Sequence, residues 1–144
     1  MHEVLQDIAD GTCSVLERGY LARVELAHGL PPGRRQAPGR TARGRVYRDV
    51  DHDRFGLVVE LDGRLFHETA AQRDLDLDRD LEAALDHRLT VRLGWGQVFD
   101  RPCRTAGRLE TLLRRRGWEG SAVRCGPGCR LRDDTPVVTT YQVR

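Results

Sequence analysis

Apolar residues along this chain recur at two different spacings, one typical of helices and one typical of strands. Helical spacing is found in three segments, residues 4–27, 69–85 and 104–116. Strand-like patterns are found in three others, residues 45–50, 56–62 and 88–93. Helices and strands interspersed in this order predict an α/β domain.

Two predicted helices have recognisable end signals. Thr69 is followed three positions later by Gln72, a capping-box pattern that predicts a helix start. Gly117 closes the helix over 104–116. The helix that begins at Thr69 is predicted to turn four apolar residues toward the core: Leu77, Leu81, Ala84 and Leu85.

The chain length predicts a single domain, and the net charge does not identify the kind of partner. We assign residues 1–129 of the 144 to the domain and 130–144 to a tail that is a short strand or disordered. A formal net charge of +2 neither demands nor excludes a polyanion. All 24 basic residues are Arg, which suits phosphate because the guanidinium donates two parallel hydrogen bonds. The codon bias of a GC-rich genome also explains the absence of Lys, whatever role the Arg residues have.

The sequence predicts a cytoplasmic protein with no membrane contact. No segment approaches the roughly 20 apolar residues that cross a bilayer. The first residues lack the basic-then-apolar order of a secretory signal. The four Cys do not have the spacing of a secreted disulfide framework. The oligomeric state is left open.

Acidic residues gather where the most apolar strand ends. Glu60 and Asp62 follow Val58 on one face of that strand, because strand side chains alternate. Three more carboxylates lie just upstream: Asp49, Asp51 and Asp53. Adjacent carboxylates are costly to keep ionised unless a cation or a donor compensates them. A hard divalent ion such as Mg²⁺ is the natural compensator.

These residues carry a resemblance to a known family. The matching stretches are Tyr47–His67, which includes Val58-Val59-Glu60-Leu61-Asp62-Gly63, then Gln72–Asp80 and Leu89–Trp95. They resemble the PD-(D/E)XK nuclease superfamily, in the branch similar to very-short-patch-repair endonucleases. They also resemble the C-terminal half of larger actinobacterial proteins, some of which carry a winged-helix module like that of abortive-infection antitoxins. The resemblance implies a restriction-endonuclease-like core, with a mixed central sheet flanked by helices.

The resemblance also implies metal-dependent hydrolysis of DNA phosphodiester bonds. Asp49 and Glu60 match the ligands for Mg²⁺ or Mn²⁺, and Glu17 matches the helix carboxylate that completes the metal site. The lysine of the family is replaced by Asp62 in a chain without Lys. Asp62 is then a further ligand, or His67 supplies proton transfer, or the site is inactive.

Most of these residues also have a purely structural interpretation. Glu17 can be a capping-box acid, Asp62 a turn residue and His67 a packing residue. Either neighbouring aspartate can replace Asp49 as a ligand. Glu60 is the hardest to explain structurally, because a carboxylate within an apolar strand needs a partner.

Basic and polar residues with a possible phosphate-binding role cluster before the first predicted strand. The candidates are Arg34, Arg35, Gln36, Arg43 and Arg45, with scattered surface residues as the alternative interpretation. Arg79, on the helix after the acidic strand, is either a site contact or a solvated partner of Asp76. Arg92 is a candidate supporting residue.

These features predict a metal-dependent DNA endonuclease. The missing Lys motivates an alternative, an inactive nuclease-fold module. Such a module binds nucleic acid or regulates a partner in a toxin–antitoxin or phage-defence system.

Three cysteines form a candidate zinc site. Cys125 and Cys129 enclose Gly-Pro-Gly, and Cys103 is the third candidate ligand. Cys13 or a His is the candidate fourth ligand. Structural zinc is found in very-short-patch-repair enzymes, but their ligand spacing does not map onto this chain. The alternatives are buried free thiols or a loop disulfide.

Overall fold

The computed structural model describes residues 11, 14–35, 47–63 and 69–132, with the side chains of residues 47–49 excepted. Several predicted features lie outside the described residues: Cys13, Gln36, Arg43, Arg45, His67 and most of the tail.

A four-stranded mixed sheet forms the centre of the protein. Its strands lie side by side in chain order: β1 (Arg34–Arg35), β2 (Tyr47–His52), β3 (Leu57–Asp62) and β4 (Leu89–Leu93). The first three pair antiparallel, and β4 pairs parallel to β3. The α/β class predicted from the sequence is confirmed, as a mixed sheet flanked by helices.

Strands β2 and β3 form a hairpin, as expected for two predicted strands that only residues 51–55 separate. The 3₁₀ turn Asp53–Phe55 joins the two strands and ends at Gly56, whose φ is 61°. That left-handed backbone favours glycine because a side chain would be strained there.

The central strand β3 separates an apolar face from a polar one. Leu57, Val59 and Leu61 are fully buried on one face. On the other face Glu60 is buried between two half-buried residues, Val58 and Asp62. The alternation predicted for this strand is therefore present, and a carboxylate lies inside it.

Three helices accompany the sheet in the described part of the chain. Helix α1 covers residues 14–26, and its last seven residues, Tyr20–Leu26, form a π-helix. Helix α2 is Ala70–Leu85 and α3 is Pro102–Arg115. A π-helical turn, Gly96–Asp100, leads from β4 toward α3. Because α2 lies between β3 and β4 in the chain, it is the crossover that parallel strands require.

The predicted helix ends are present. The Thr69 hydroxyl accepts a hydrogen bond from the Gln72 backbone N–H at 3.2 Å, and the Gln72 side chain accepts from the Thr69 backbone N–H at 3.1 Å. Both bonds of the capping box are thus formed. Gly117 follows α3 with a φ of 107°.

The apolar core is built from one face of the sheet and from α1 and α3. Helix residues in it are Leu16, Tyr20, Val24, Ala106, Leu109 and Leu113. The segment after α3 has no regular structure through residue 132, but it contributes Ala122, Cys129 and Leu131 to the same core.

The predicted inner face of α2 is wrong. Leu77, Leu81 and Leu85 are exposed, Leu81 by 64%, and Ala84 is also exposed. The buried residue of α2 is Asp76. The face of α2 that carries Asp76 and Asp80 contacts Arg92 of β4 instead, as described below.

None of the helices in residues 11–35 and 69–132 combines the length and the hydropathy needed to cross a bilayer.

Candidate functional site

The strand register brings the two predicted ligands for Mg²⁺ or Mn²⁺ together. Asp49 on β2 lies directly opposite Glu60 on β3. Directly opposed residues of an antiparallel pair project to the same face, with Cβ atoms about 5 Å apart. The backbone therefore places these two carboxylate-bearing residues side by side, although the described residues do not include the side chain of Asp49.

Glu60 is held by two arginines. Its side chain is only 6% exposed, and Arg92 Nε donates to its Oε2 at 3.2 Å. Arg79 Nη2 lies 3.5 Å from its Oε1. Two guanidinium groups thus supply the positive charge that was expected from a divalent ion. A cation at Glu60 has to share the carboxylate with them or displace them.

Arg92 connects β3, β4 and α2. Its Nη2 donates to Asp80 Oδ1 at 3.0 Å and to the carbonyl oxygen of Asp76 at 3.4 Å. Burial by itself lowers the pKa of Arg92, but the negative charges of Asp80 and Glu60 outweigh burial and raise that pKa. The network explains why α2 turns a polar face toward the sheet.

Two of the other predicted acids have arginine partners of their own. Glu17 Oε1 on α1 lies 3.6 Å from Arg35 Nε on β1, so this pair links the helix to the sheet edge. Asp51 is paired with Arg88. Asp62 is half-buried at the end of β3.

Of the predicted phosphate contacts, the structure describes two. Arg34 is largely exposed, with its Nη2 4.0 Å from Asp53 Oδ2. Arg35 makes the Glu17 contact just described and is partly exposed. Both lie on β1, at the edge of the described sheet.

A second cluster lies away from the sheet centre and contains all three predicted zinc-binding cysteines. The ligand atoms of His28, Cys103, Cys125 and Cys129 all lie within 4.8 Å of one another. The Sγ atoms of Cys103 and Cys125 are 3.6 Å apart. Tetrahedral Zn²⁺ with Zn–S bonds near 2.3 Å holds two sulfurs about 3.8 Å apart, so this spacing fits the ion.

His28 occupies the fourth position that the sequence left open. Its ring is fully buried, and its Nδ1 lies 3.0 Å from the carbonyl oxygen of Val24. Donation from Nδ1–H leaves a lone pair on Nε2, which is the tautomer that binds metal. Within the described structure this buried Nε2 has no hydrogen-bond partner. A metal ion removes the cost of that buried, unsatisfied nitrogen.

The four candidate ligands come from three parts of the chain. His28 follows α1, and Cys103 lies in the first turn of α3, directly after Pro102. The positive end of the helix dipole favours a thiolate there. Cys125 and Cys129 lie in the loop after α3. This loop is tied to the end of α1 because the Val123 N–H donates to the carbonyl oxygen of His28 at 2.8 Å.

Contacts among the thiols of this cluster shift the pKa values of Cys125 and Cys129 in opposite directions. Burial raises the pKa of Cys129, but hydrogen bonds from the Cys125 backbone and from the Cys103 thiol outweigh it and lower that pKa to about 6. Hydrogen bonding to Cys103 and then to Cys129 raises the pKa of Cys125 to about 11. The thiols alone thus favour one thiolate over several, whereas a bound dication stabilises more than one. The residues fit zinc.

Of the residues in these two sites, His28 was not singled out from the sequence. His28 has no sequence spacing that connects it to the distant cysteines. The contacts of Arg79 and Arg92 depend on how α2 and β4 are placed. The sequence indicated a supporting role for Arg92 and a site contact for Arg79, but it did not indicate that both pair with Glu60.

Comparisons of the chain with protein-family models, with curated proteins and with solved structures gave no match. The function therefore has to be argued from the residues and their geometry.

Proposed function

We propose that this chain is a restriction-endonuclease-like domain that hydrolyses DNA phosphodiester bonds with a divalent ion held by Asp49 and Glu60. The observation that carries the proposal is the β2–β3 register, in which these two residues are direct partners. Carboxylates contributed by adjacent strands are the ligands that Mg²⁺ and Mn²⁺ prefer. A mixed sheet flanked by helices is the kind of core that the resemblance implies, and this supports the proposal.

Each residue then has a role at the scissile phosphate. Mg²⁺ or Mn²⁺, when bound, supplies Lewis acidity and lowers the pKa of a water molecule. The side chains of Arg79 and Arg92 are 40% and 31% exposed, so either can contact a phosphate oxygen while the other stays on Glu60. Asp62 and Glu17 support the acidic site, and His67 aids proton transfer.

The zinc cluster has a structural role in this proposal. Zn²⁺ would be held by His28, Cys103, Cys125 and Cys129, a closed set of four ligands typical of structural zinc. It joins the end of α1 to α3 and its following loop, and it takes no part in hydrolysis.

A second function is favoured by the pairing of Glu60 with two arginines. If both guanidinium groups stay in place, they compensate Glu60, and a cation gains little by binding there. The domain would then bind nucleic acid, or regulate a partner in a toxin–antitoxin or phage-defence system, without cleaving DNA. The substitution of Asp62 for the family's Lys points the same way.

Cleavage assays with site variants separate the two functions. The protein is incubated with plasmid, nicked, mismatched and single-stranded DNA in Mg²⁺ or Mn²⁺. We expect cleavage that falls by about 100-fold or more in Asp49→Asn and Glu60→Gln, because the ion loses a charged ligand. Asp80→Asn, which removes a contact of Arg92 outside the Asp49–Glu60 pair, is expected to retain most activity.

The outcomes differ for the two candidates. Full activity in a folded Glu60→Gln protein contradicts the catalytic proposal. Binding of every substrate with cleavage of none favours the inactive module. Circular dichroism of each variant confirms that it is folded.

A further inference from the structure

A groove of about 410 Å³ lies between α3 and the segment that follows Cys129. None of the residues discussed above as candidate ligands lines it. One wall carries Arg104, Arg108 and Arg115, which share a face of α3 because they are spaced by four and seven residues. The other wall carries Arg130 and Arg132. Five arginines therefore line one groove.

Gly107 sets the distance between the two walls. A Cβ atom at this position would clash with the carbonyl oxygen of Leu131, so the backbone of the second wall packs directly on α3. The Leu131 side chain is buried in the core. This contact holds Arg130 and Arg132 next to the helix.

Most of the positive charge of the groove is not neutralised by its own lining residues. Glu110 is the acidic residue among its lining residues, and it is buried and already bound. Its Oε1 accepts from Arg132 Nη1 at 3.1 Å, and its Oε2 accepts from the Ala122 backbone N–H. Arg108, Arg115 and Arg130 are exposed, and none of them forms an ion pair with a residue that the structure describes.

We propose that this groove binds the sugar–phosphate backbone of nucleic acid, as a contact surface separate from Arg34 and Arg35. The rise of an α-helix places Arg108 and Arg115 about 10 Å apart along α3. Three phosphate steps along one strand of B-form DNA rise by about the same distance along the duplex axis. Guanidinium groups match phosphate oxygens with two parallel hydrogen bonds. The choice of nucleic acid over an acidic peptide rests on the proposed function.

Binding of a fluorescein-labelled 20-base-pair duplex, followed by anisotropy, tests the inference. The buffer contains neither Mg²⁺ nor a chelator, so cleavage does not contribute and zinc is retained. The groove variant is Arg108→Ala/Arg115→Ala/Arg130→Ala. The control, Arg18→Ala/Arg54→Ala/Arg101→Ala, removes the same charge from exposed positions outside the groove.

We expect the groove variant to bind about tenfold or more weakly at 0.1 M salt, with the control much closer to wild type. The slope of log K against log salt concentration should fall by about 2 to 3 in the groove variant, because each phosphate contact contributes about 0.9.

Three results overturn the inference: equal losses in the two variants, no duplex binding by the wild type, or equally tight, groove-dependent binding of a labelled poly-glutamate peptide. The last result assigns the groove to an acidic protein. Groove-dependent DNA binding without cleavage refutes only the catalytic proposal, and cleavage with groove-independent binding refutes only this inference.

Discussion

Glu60 is a buried carboxylate whose charge is balanced by Arg79 and Arg92 on two other elements. Removing the negative charge leaves both guanidinium groups without their shared partner, which is costly where they are partly desolvated. We expect Glu60→Gln to lower the free energy of unfolding by about 1–3 kcal/mol. Urea denaturation monitored by circular dichroism measures the change.

Asp80→Asn is the matched control for this prediction, because Asp80 contacts the same Arg92 but is far more exposed. Exposed ion pairs contribute little, so a change of at most about 1 kcal/mol is expected. Equal losses in the two variants would show that Glu60 is not compensated by these arginines in solution.

We expect the stability of the protein to depend on pH because of the buried carboxyl group of Glu25. Burial raises the pKa of Glu25, although the hydrogen bond from the Gly33 N–H and the nearby charge of Arg35 lower it. The folded state therefore holds this proton to higher pH than the unfolded chain does. Stability from the protonated group is present at low pH and is lost as pH rises through the folded pKa.

We therefore expect Glu25→Gln, which keeps an acceptor for Gly33, to raise Tm relative to wild type at pH 7–8. Near pH 4 the unfolded carboxyl is largely protonated too, and the difference should vanish. Thermal denaturation at several pH values measures it. A Tm difference that stays constant with pH contradicts the assignment.

Helix α2 shows what hydrophobic spacing can and cannot determine. The capping box and the length of α2 follow from local hydrogen bonding and residue preferences, so the sequence predicted both. Spacing also identifies the leucine face, but not which neighbour it meets. The neighbour depends on a contact distant in sequence: Arg92 on β4 donates to the carbonyl oxygen of Asp76, and this face of α2 therefore meets the sheet.

The same distinction applies to the rest of the chain. β3 and the β2–β3 hairpin were predictable because apolar alternation and the turn are local. The two-residue strand β1 is too short to show a pattern. The three cysteines were found by residue type, whereas His28 joins them through the packing of α1 against α3.

The orientation of α2 leads to a direct comparison of two leucines. Leu81 is exposed and Leu61 is fully buried. We expect Leu81→Ala to change the free energy of unfolding by at most about 0.5 kcal/mol, and Leu61→Ala to reduce it by about 2–5 kcal/mol. Urea denaturation tests both. A loss at Leu81 comparable with that at Leu61 would mean that the leucine face is covered in solution.

Across the whole molecule, the cluster of His28, Cys103, Cys125 and Cys129 connects segments that are far apart in the chain. It brings together the end of α1, the start of α3 and the loop containing Cys125 and Cys129. We expect the purified protein to contain about one equivalent of zinc. Chelation should lower Tm by about 10 °C or more. The four ligands come together only in the folded protein, so the free energy of zinc binding adds to the free energy of unfolding. Metal analysis and thermal denaturation, before and after chelation, measure both.

Two variants distinguish the candidate fourth ligands. His28→Ala should lose most of the zinc, because a buried imidazole with an open Nε2 is replaced by a methyl group. Cys13→Ser should keep a full equivalent, since His28 and the other three cysteines already offer four ligand atoms. If Cys13→Ser loses the metal while His28→Ala retains it, the ligand assignment is wrong. If neither the wild type nor either variant binds zinc, the four side chains are a cluster of free thiols beside a buried histidine. The loop containing Cys125 and Cys129 is then held by the Val123–His28 hydrogen bond and by the packing of Leu131.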